Sequence, residues 1–260
     1  MTNVTRYAGF SGGPSAALWK RQAPMNGQVF NDRNFGWGVF DDFLDLFATA
    51  NRYTLTEGDA AASIGLIATE VGGVLRMTTG AVDNNEANII SGINEGVLGK
   101  INTGTGKVWF ECKWRPSSVT DNAAGYLIGL AEEGSGGANL QADNTGVVAD
   151  KDFVGFSVVQ ADGNALTGIH NTSGGGGVTT LISSAAVPVA DTWIRTGFYF
   201  DGLTTTTFYV DGVALSTTVE YDATNFPNGE ELAFVAGVKT GSATSINLDI
   251  DWWAFAQEAA

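Results

Sequence analysis

Lys107-Val-Trp-Phe-Glu-Cys-Lys-Trp-Arg115 is the stretch on which the fold turns. Val108, Phe110, Cys112 and Trp114 alternate with Lys107, Trp109, Glu111, Lys113 and Arg115. A period of two, with one apolar and one mostly charged face, marks a half-buried strand, because successive strand side chains point to opposite sides. Outward from it the same signal recurs at 72–79, 86–92, 124–131, 153–161, 165–171, 178–183, 192–201, 205–215, 231–240 and 245–257. Gly125 to Leu130 and Phe153 to Val159 are apolar runs of the kind a strand buried on both faces requires.

The joints between these segments set their direction. Val210-Asp-Gly-Val213 places a two-residue Asp-Gly turn between apolar residues, a strong hairpin signal. Asp201-Gly202 and Asp162-Gly163 occupy comparable joints. Strands joined this closely run antiparallel, since parallel neighbours need long crossovers. No long helical pattern supplies one; residues 41–50 have room for a turn or two of helix. More than ten antiparallel strands curl or split into two packed layers. The expected fold is all-β: one antiparallel jelly-roll β-sandwich spanning residues 39–260, preceded by an extended N-terminal arm, residues 1–38. A chain of 260 residues has ample surface to bury in such a core.

The arm has punctuating Gly12, Gly13, Pro14, Pro24 and Gly27, and no sustained period. It also holds Tyr7, Phe10, Trp19, Phe30, Phe35 and Trp37, too many aromatics for a disordered tail. Charge separates it from the body. Arg6, Lys20, Arg21 and Arg33 face only Asp32 in the first 40 residues, against a net charge of −15 for the whole chain. Arginine and tryptophan are frequent interface anchors, so Arg6, Trp19, Lys20, Arg21, Arg33 and Trp37 are the candidate partner-contact residues. An acidic chain is a poor ligand for phosphate backbones, which argues against nucleic acid. No apolar run of membrane-helix length is present, and residues 1–30 lack the apolar core of a signal peptide, which predicts synthesis in a cytoplasm. Cys112 is the lone cysteine and shares its strand face with Phe110 and Trp114, so a buried hydrophobe is expected rather than a nucleophile or metal ligand.

Beyond these readings, several stretches resemble concanavalin-A-like (laminin-G-like) jelly rolls. Gly106-Lys-Val-Trp-Phe-Glu-Cys-Lys-Trp and Gly125-Tyr-Leu-Ile-Gly-Leu are similar to their central strands. Thr192-Trp-Ile-Arg-Thr-Gly-Phe-Tyr-Phe-Asp-Gly followed by Thr207-Phe-Tyr-Val-Asp-Gly-Val resembles their "YVDG" hairpin. Ser245-Ile-Asn-Leu-Asp-Ile-Asp-Trp-Trp resembles the closing strand and Phe40-Asp-Asp-Phe the opening one. The layout of an arm, "GWGVFDDF" and one jelly roll also resembles capsid decoration (cement) proteins of tailed bacteriophages. That resemblance implies a non-enzymatic virion structural protein on the capsid exterior, made in the host cytoplasm. Its partners would be the major capsid protein and copies of itself, in a homo-oligomer such as a trimer.

The same sandwich carries lectins and hydrolases, so fold does not choose among functions. Jelly-roll glucanases work with a Glu-x-Asp-x-x-Glu strand; Leu248-Asp-Ile-Asp-Trp-Trp253 is the nearest match and lacks both glutamates, which leaves no catalytic residue to name. The alternative is a glycan-binding module. Asn247, Asp249, Asp251 and Trp253 share one strand face and, with Trp109, make a candidate glycan patch of acceptors and aromatic platforms. Asp41, Asp42 and Asp45, or Asp150 and Asp152, are acidic clusters without the spacing of a dedicated calcium loop, so neither metal nor cofactor is expected. His170 stands beside Gly174–Gly177 with no nucleophile elbow nearby, and the glycine run and residues 132–150 are expected as mobile surface loops.

Overall fold

The structure, a computed structural model, describes residues 14–19, 34–44, 52–70, 72–92, 98–137, 139–175 and 177–259. Two antiparallel sheets face each other. The first comprises β1 (Gly36–Asp41), β3 (Ser63–Leu66), β4 (Leu75–Thr78), β7 (Val108–Pro116), β12 (Ile194–Phe200), β13 (Thr205–Val210), β14 (Val213–Glu220) and β16 (Asn247–Glu258). Its order is β14-β13-β12-β7-β16-β4-β3, with β1 also paired to β16. The second comprises β2 (Tyr53–Glu57), β5 (Glu86–Ser91), β6 (Gly99–Lys100), β8 (Ala124–Glu132), β9 (Phe153–Val158), β10 (Leu166–Asn171), β11 (Thr179–Ala186) and β15 (Glu231–Thr240). Its order is β11-β10-β9-β8-β15-β5-β2, with β6 also paired to β15. The expected jelly-roll sandwich is therefore the fold.

The alternation in β7 works as its sequence requires. Val108, Phe110, Cys112 and Trp114 enter the core between the sheets, while Glu111 and Lys113 face outward. Phe234 of β15 stacks on Trp253 of β16 at 4.5 Å and meets Phe110 of β7 at 6.0 Å, so aromatic pairs that span the two sheets fix the layer spacing. The buried Trp114 indole donates to Thr196 Oγ1 at 3.0 Å, which satisfies its one polar atom. Cys112 is fully buried among these residues, and burial pushes its thiol pKa up.

Two expectations are revised at the sheet edges. The segment 205–215 is two strands, because the Asp211-Gly212 turn divides it: φ is +47° and +77° at the two positions, both left-handed. The residues expected to end the arm belong partly to the body, since Gly36–Asp41 pairs with β16 in register from Gly36↔Glu258 to Asp41↔Trp253. Trp37 is thus a strand residue whose indole donates to the Leu98 carbonyl at 2.6 Å.

The stretch 132–150, expected as a mobile surface loop, is clamped onto the second sheet. Glu86 accepts the backbone N–H groups of Leu140 and Gln141 at 3.0 and 3.3 Å, and the Lys239 ammonium donates to the Gln141 carbonyl at 2.6 Å. Leu140 and Val148 from this stretch bury against Leu127, Phe153, Ile169 and Val235 on the sheet's outer side. Gly129 and Gly155 pair there without side chains, and a Cβ at Gly129 would lie 2.8 Å from Phe153 Cζ, so the ring needs that gap.

Candidate functional site

The sequence-predicted glycan patch does not assemble. Between Ile250 and Trp252 the register with β7 shifts by one residue, so Ile250 pairs with Trp114 and Trp252 with Lys113. This bulge at Asp251 reverses the inside-outside parity of everything after it. Trp253 consequently faces the core, 2% exposed, where its indole donates to the Tyr53 hydroxyl at 2.8 Å. Trp109 faces outward yet is fully covered. Neither offers a ring face to solvent.

The acidic members are committed to cations. Asp249 accepts from Arg76 through two bonds of 2.7 and 2.8 Å and from Arg115 Nε at 2.8 Å. Arg115 reaches Glu70 at 2.9 Å, and the hydrogen bond to Asp249 raises the Arg76 pKa further. Asp251 pairs with Lys113 at 2.7 Å, and Lys113 and Arg115 both lie over the Trp193 ring. Asn247 opens the strand half-buried, its backbone N–H donating to Ser117 Oγ at 2.8 Å. Among the described residues no group of three or more potential metal ligands converges. Asp41 instead accepts from Phe43 N–H and the Tyr53 hydroxyl at 2.9 and 2.6 Å; Asp45 lies outside the described residues.

Of the candidate arm anchors, Arg6, Lys20, Arg21 and Arg33 lie outside the described residues. Trp19 is within them, in the single helical turn α1 (Ala16–Trp19), and it rests on the chain's own first sheet. Its indole donates to Glu111 Oε2 at 2.8 Å, beside Ser15 N–H on the same oxygen at 2.8 Å. The Ser15 hydroxyl donates to Glu111 Oε1. Leu18 packs on Trp109, Tyr199, Tyr209 and Ala256.

An open cavity of about 340 Å³ lies elsewhere, at the β10 end of the second sheet. Val148, Ala149 and Asp150 form one wall, and Asn171, Gly174, Gly177 and Val178 the other. Asp150 Oδ1 accepts the Gly174 N–H at 2.7 Å, and Asp152 Oδ1 accepts the Ser173 N–H at 3.4 Å, so the two acids hold the glycine-rich turn against the clamped stretch. Asn171 Nδ2 donates to the Lys151 carbonyl at 2.9 Å. Its Oδ1 is buried and has no partner among the described residues, an unmet acceptor costing roughly 1–3 kcal/mol. Behind this wall Glu132 and Asp152 share a hydrogen bond; burial, then that bond, push the Glu132 pKa up to about 7. His170 is buried next to Asn171, with Nδ1 2.7 Å from the Asn225 carbonyl, and burial lowers its pKa.

Sequence reading named parts of this cavity separately, as an acidic pair, of which Asp150 lines the wall, and a glycine run; the buried His170 is not among the lining residues. What brings them together is β9–β10 pairing, which sets His170 opposite Val154 and Asn171 opposite Phe153, directly after Asp152. The flanking pattern Asp150-Lys-Asp152 with Asn171-Thr-Ser173 is the signal that could have pointed there.

Neither a protein-family model nor a curated protein matches the sequence. Solved structures do match in fold. A protein of unknown function from Shewanella oneidensis MR-1 superposes with a TM-score of 0.59 at 12% identity, over 95% of this chain and 97% of that one. An endo-β-1,4-glucuronan lyase from Trichoderma reesei gives 0.58 at 12% identity, over 84% and 94%. The carbohydrate recognition domain of Emp47p gives 0.54 at 12% identity, over 88% and 99%. The chain thus shares the antiparallel β-sandwich fold of these structures; at such identities the likeness establishes the fold alone.

Proposed function

We propose that this protein is a non-catalytic carbohydrate-binding module whose sugar site is the cavity between Val148–Asp150 and Asn171–Val178. The observation that carries the reading is the Asn171 carboxamide, an acceptor without a partner among the described residues, on the wall of an open cavity beside Asp150. One sugar hydroxyl donates to the Asp150 carboxylate, Val148 and Val178 offer apolar surface to ring C–H groups, and a turn of the buried Asn171 carboxamide toward the cavity gives its partnerless Oδ1 a second hydroxyl. A volume of about 340 Å³ falls at the small end of ligand sites, which run roughly 300–1,000 Å³ and join apolar walls to a few placed polar groups. The resemblance of fold to a carbohydrate recognition domain and a glucuronan lyase supports glycan recognition better than capsid decoration. Binding without turnover is supported by Asp249 and Asp251, whose charges are already matched by Arg76, Arg115 and Lys113.

The test is a glycan array followed by titration calorimetry on each hit. Asp150→Asn should weaken binding at least tenfold while the β-sheet circular dichroism stays that of the parent; Asn171→Asp, which also gives up the Nδ2 bond to the Lys151 carbonyl, should weaken it at least tenfold together with a lowered thermal midpoint. A hit whose affinity ignores both substitutions refutes the site. Reducing ends or unsaturated sugars released from the bound glycan refute the absence of catalysis.

A further inference from the structure

The outer side of the first sheet carries a channel that the chain itself fills. Across the strands, Glu111 stands between Ala254 of β16 and Gly197 of β12, and Tyr209 of β13 lies beyond Gly197. The next row on one side holds Trp109 and Tyr199, with rings 5.5 Å apart. The row on the other side holds Trp252, Lys113 and Arg195. Small residues flanking Glu111 between two rows of large ones make a trough perpendicular to the strands, with a carboxylate on its floor.

Residues 14–19 occupy it. Among the described residues all three hydrogen bonds to the Glu111 carboxylate come from this segment: Ser15 N–H, the Ser15 hydroxyl and the Trp19 indole. Leu18 covers the aromatic rings. Even so, the Trp109 indole nitrogen is fully buried with no partner among the described residues, so the segment does not meet every polar group that it covers. Glu111 is buried with the segment lying on it, and burial raises its pKa.

We propose that this channel is a second saccharide-binding cleft, specific for neutral polysaccharide, and that residues 14–19 are its built-in competitor. The segment supplies what a sugar supplies. Two hydroxyls of a pyranose replace the Ser15 and Trp19 donors on the carboxylate, and the ring's C–H face replaces Leu18 on the aromatic rings. The Trp109 N–H gains a hydroxyl acceptor that the segment lacks. A neutral chain is favoured because Glu111 and a body carrying nearly all of the chain's 28 acidic residues repel polyanions. The inference rests on the carbohydrate reading but not on the Asn171 cavity.

Two release variants test it: a chain lacking residues 1–19, and the full chain with Ser15→Ala, Leu18→Ala and Trp19→Ala. Gel retardation is measured on mixed-linkage β-glucan, xyloglucan, galactomannan and polyglucuronate. Both release variants should bind at least one neutral polymer ten times more tightly than the full chain does and should gain nothing on polyglucuronate. Adding Glu111→Gln should abolish the gain, Asn171→Asp should leave it, and a synthetic peptide of residues 12–21 should compete with the polymer. If the shortened chain fails to fold, the triple variant decides. Release variants that bind no better than the full chain, or a gain that survives Glu111→Gln, overturn the proposal. In that event loss of glycan binding on Asn171→Asp in the full chain still upholds the cavity reading, so the two fail separately.

Discussion

Replacing Lys239 with methionine should be among the most destabilising single changes in this protein. Lys239 is 1% exposed on β15, and its ammonium lies 3.3 Å from Glu86 Oε2, itself 3% exposed. Glu86 also accepts from Leu140 N–H, Gln141 N–H and Asn88 Nδ2, so it cannot follow a lost partner into water. Removing one member of a buried pair strands the other, at about 3–5 kcal/mol. Of the other two contacts of Lys239, the Gln141 carbonyl at 2.6 Å also loses its donor, whereas the exposed Asp143 at 2.6 Å adds little, since surface pairs contribute about 0–1 kcal/mol. Burial already raises the Glu86 pKa, and without the ammonium its folded form prefers the proton more strongly. An acid held above its unfolded pKa is favourable below that value and loses its contribution as pH rises. The deficit of Lys239→Met should therefore be smaller at pH 5 than at pH 8. Urea unfolding at both pH values, followed by tryptophan fluorescence, measures it. The pair Lys239→Met with Glu86→Gln should recover part of the loss. A deficit below about 1 kcal/mol, or one equal at both pH values, refutes the claim that this ion pair is buried and isolated from solvent.

Two further outcomes follow from local geometry. Gly212→Val forces a β-branched residue to a φ of +77° and brings a Cβ within 2.9 Å of Ser15 Oγ, so it should cost about 1 kcal/mol or more in urea and should also speed proteolysis at residues 14–19. Glu132, with an ordinary value of 4.5 raised to about 7, favours the folded state only while protonated. Its contribution is complete below pH 4.5 and lost as pH rises to 7. The stability of Glu132→Gln should thus decline less than that of the parent across this window, and parallel pH profiles would dispose of the shared proton.

The body of the fold was legible where strands carry an inside and an outside. β7, β8, β12, β15 and β16 announce themselves through apolar alternation or runs, and Asp211-Gly212 through turn chemistry. β2, β3 and β14 did not stand out, and all three are edge strands. β14 shows why: Val219 is its one buried residue, and an edge strand that stays mostly exposed needs no continuous apolar stripe. The candidate patch on β16 failed for a different reason. Its parity argument assumes an unbroken pleat, and no residue type at Asp251 declares a bulge; the bulge comes from fitting β16 to β7. The cavity was invisible because its walls are separated in sequence by the whole of the β9–β10 hairpin, whose pairing brings Asn171 back beside Asp150. Glu111 could be placed on an outer face from the sequence, but nothing there told that Ser15, 96 residues earlier, would sit on it.

The strand orders also carry a temporal consequence. β15 and β16 are the last two of the described strands to be translated, yet each lies inside its sheet, β15 between β8 and β5 and β16 between β7 and β4. Until residues 231–258 have left the ribosome, β7 and β8 each present an open edge where a central partner belongs, and the Phe234–Trp253 stack that joins the layers does not exist. The nascent chain must therefore keep four partial sheets, β14-β13-β12-β7, β4-β3, β11-β10-β9-β8 and β5-β2, from mispairing with each other and with neighbouring chains, and closure comes as one late, long-range event. Such a topology folds slowly and is most exposed to misassembly just before synthesis of these strands is complete.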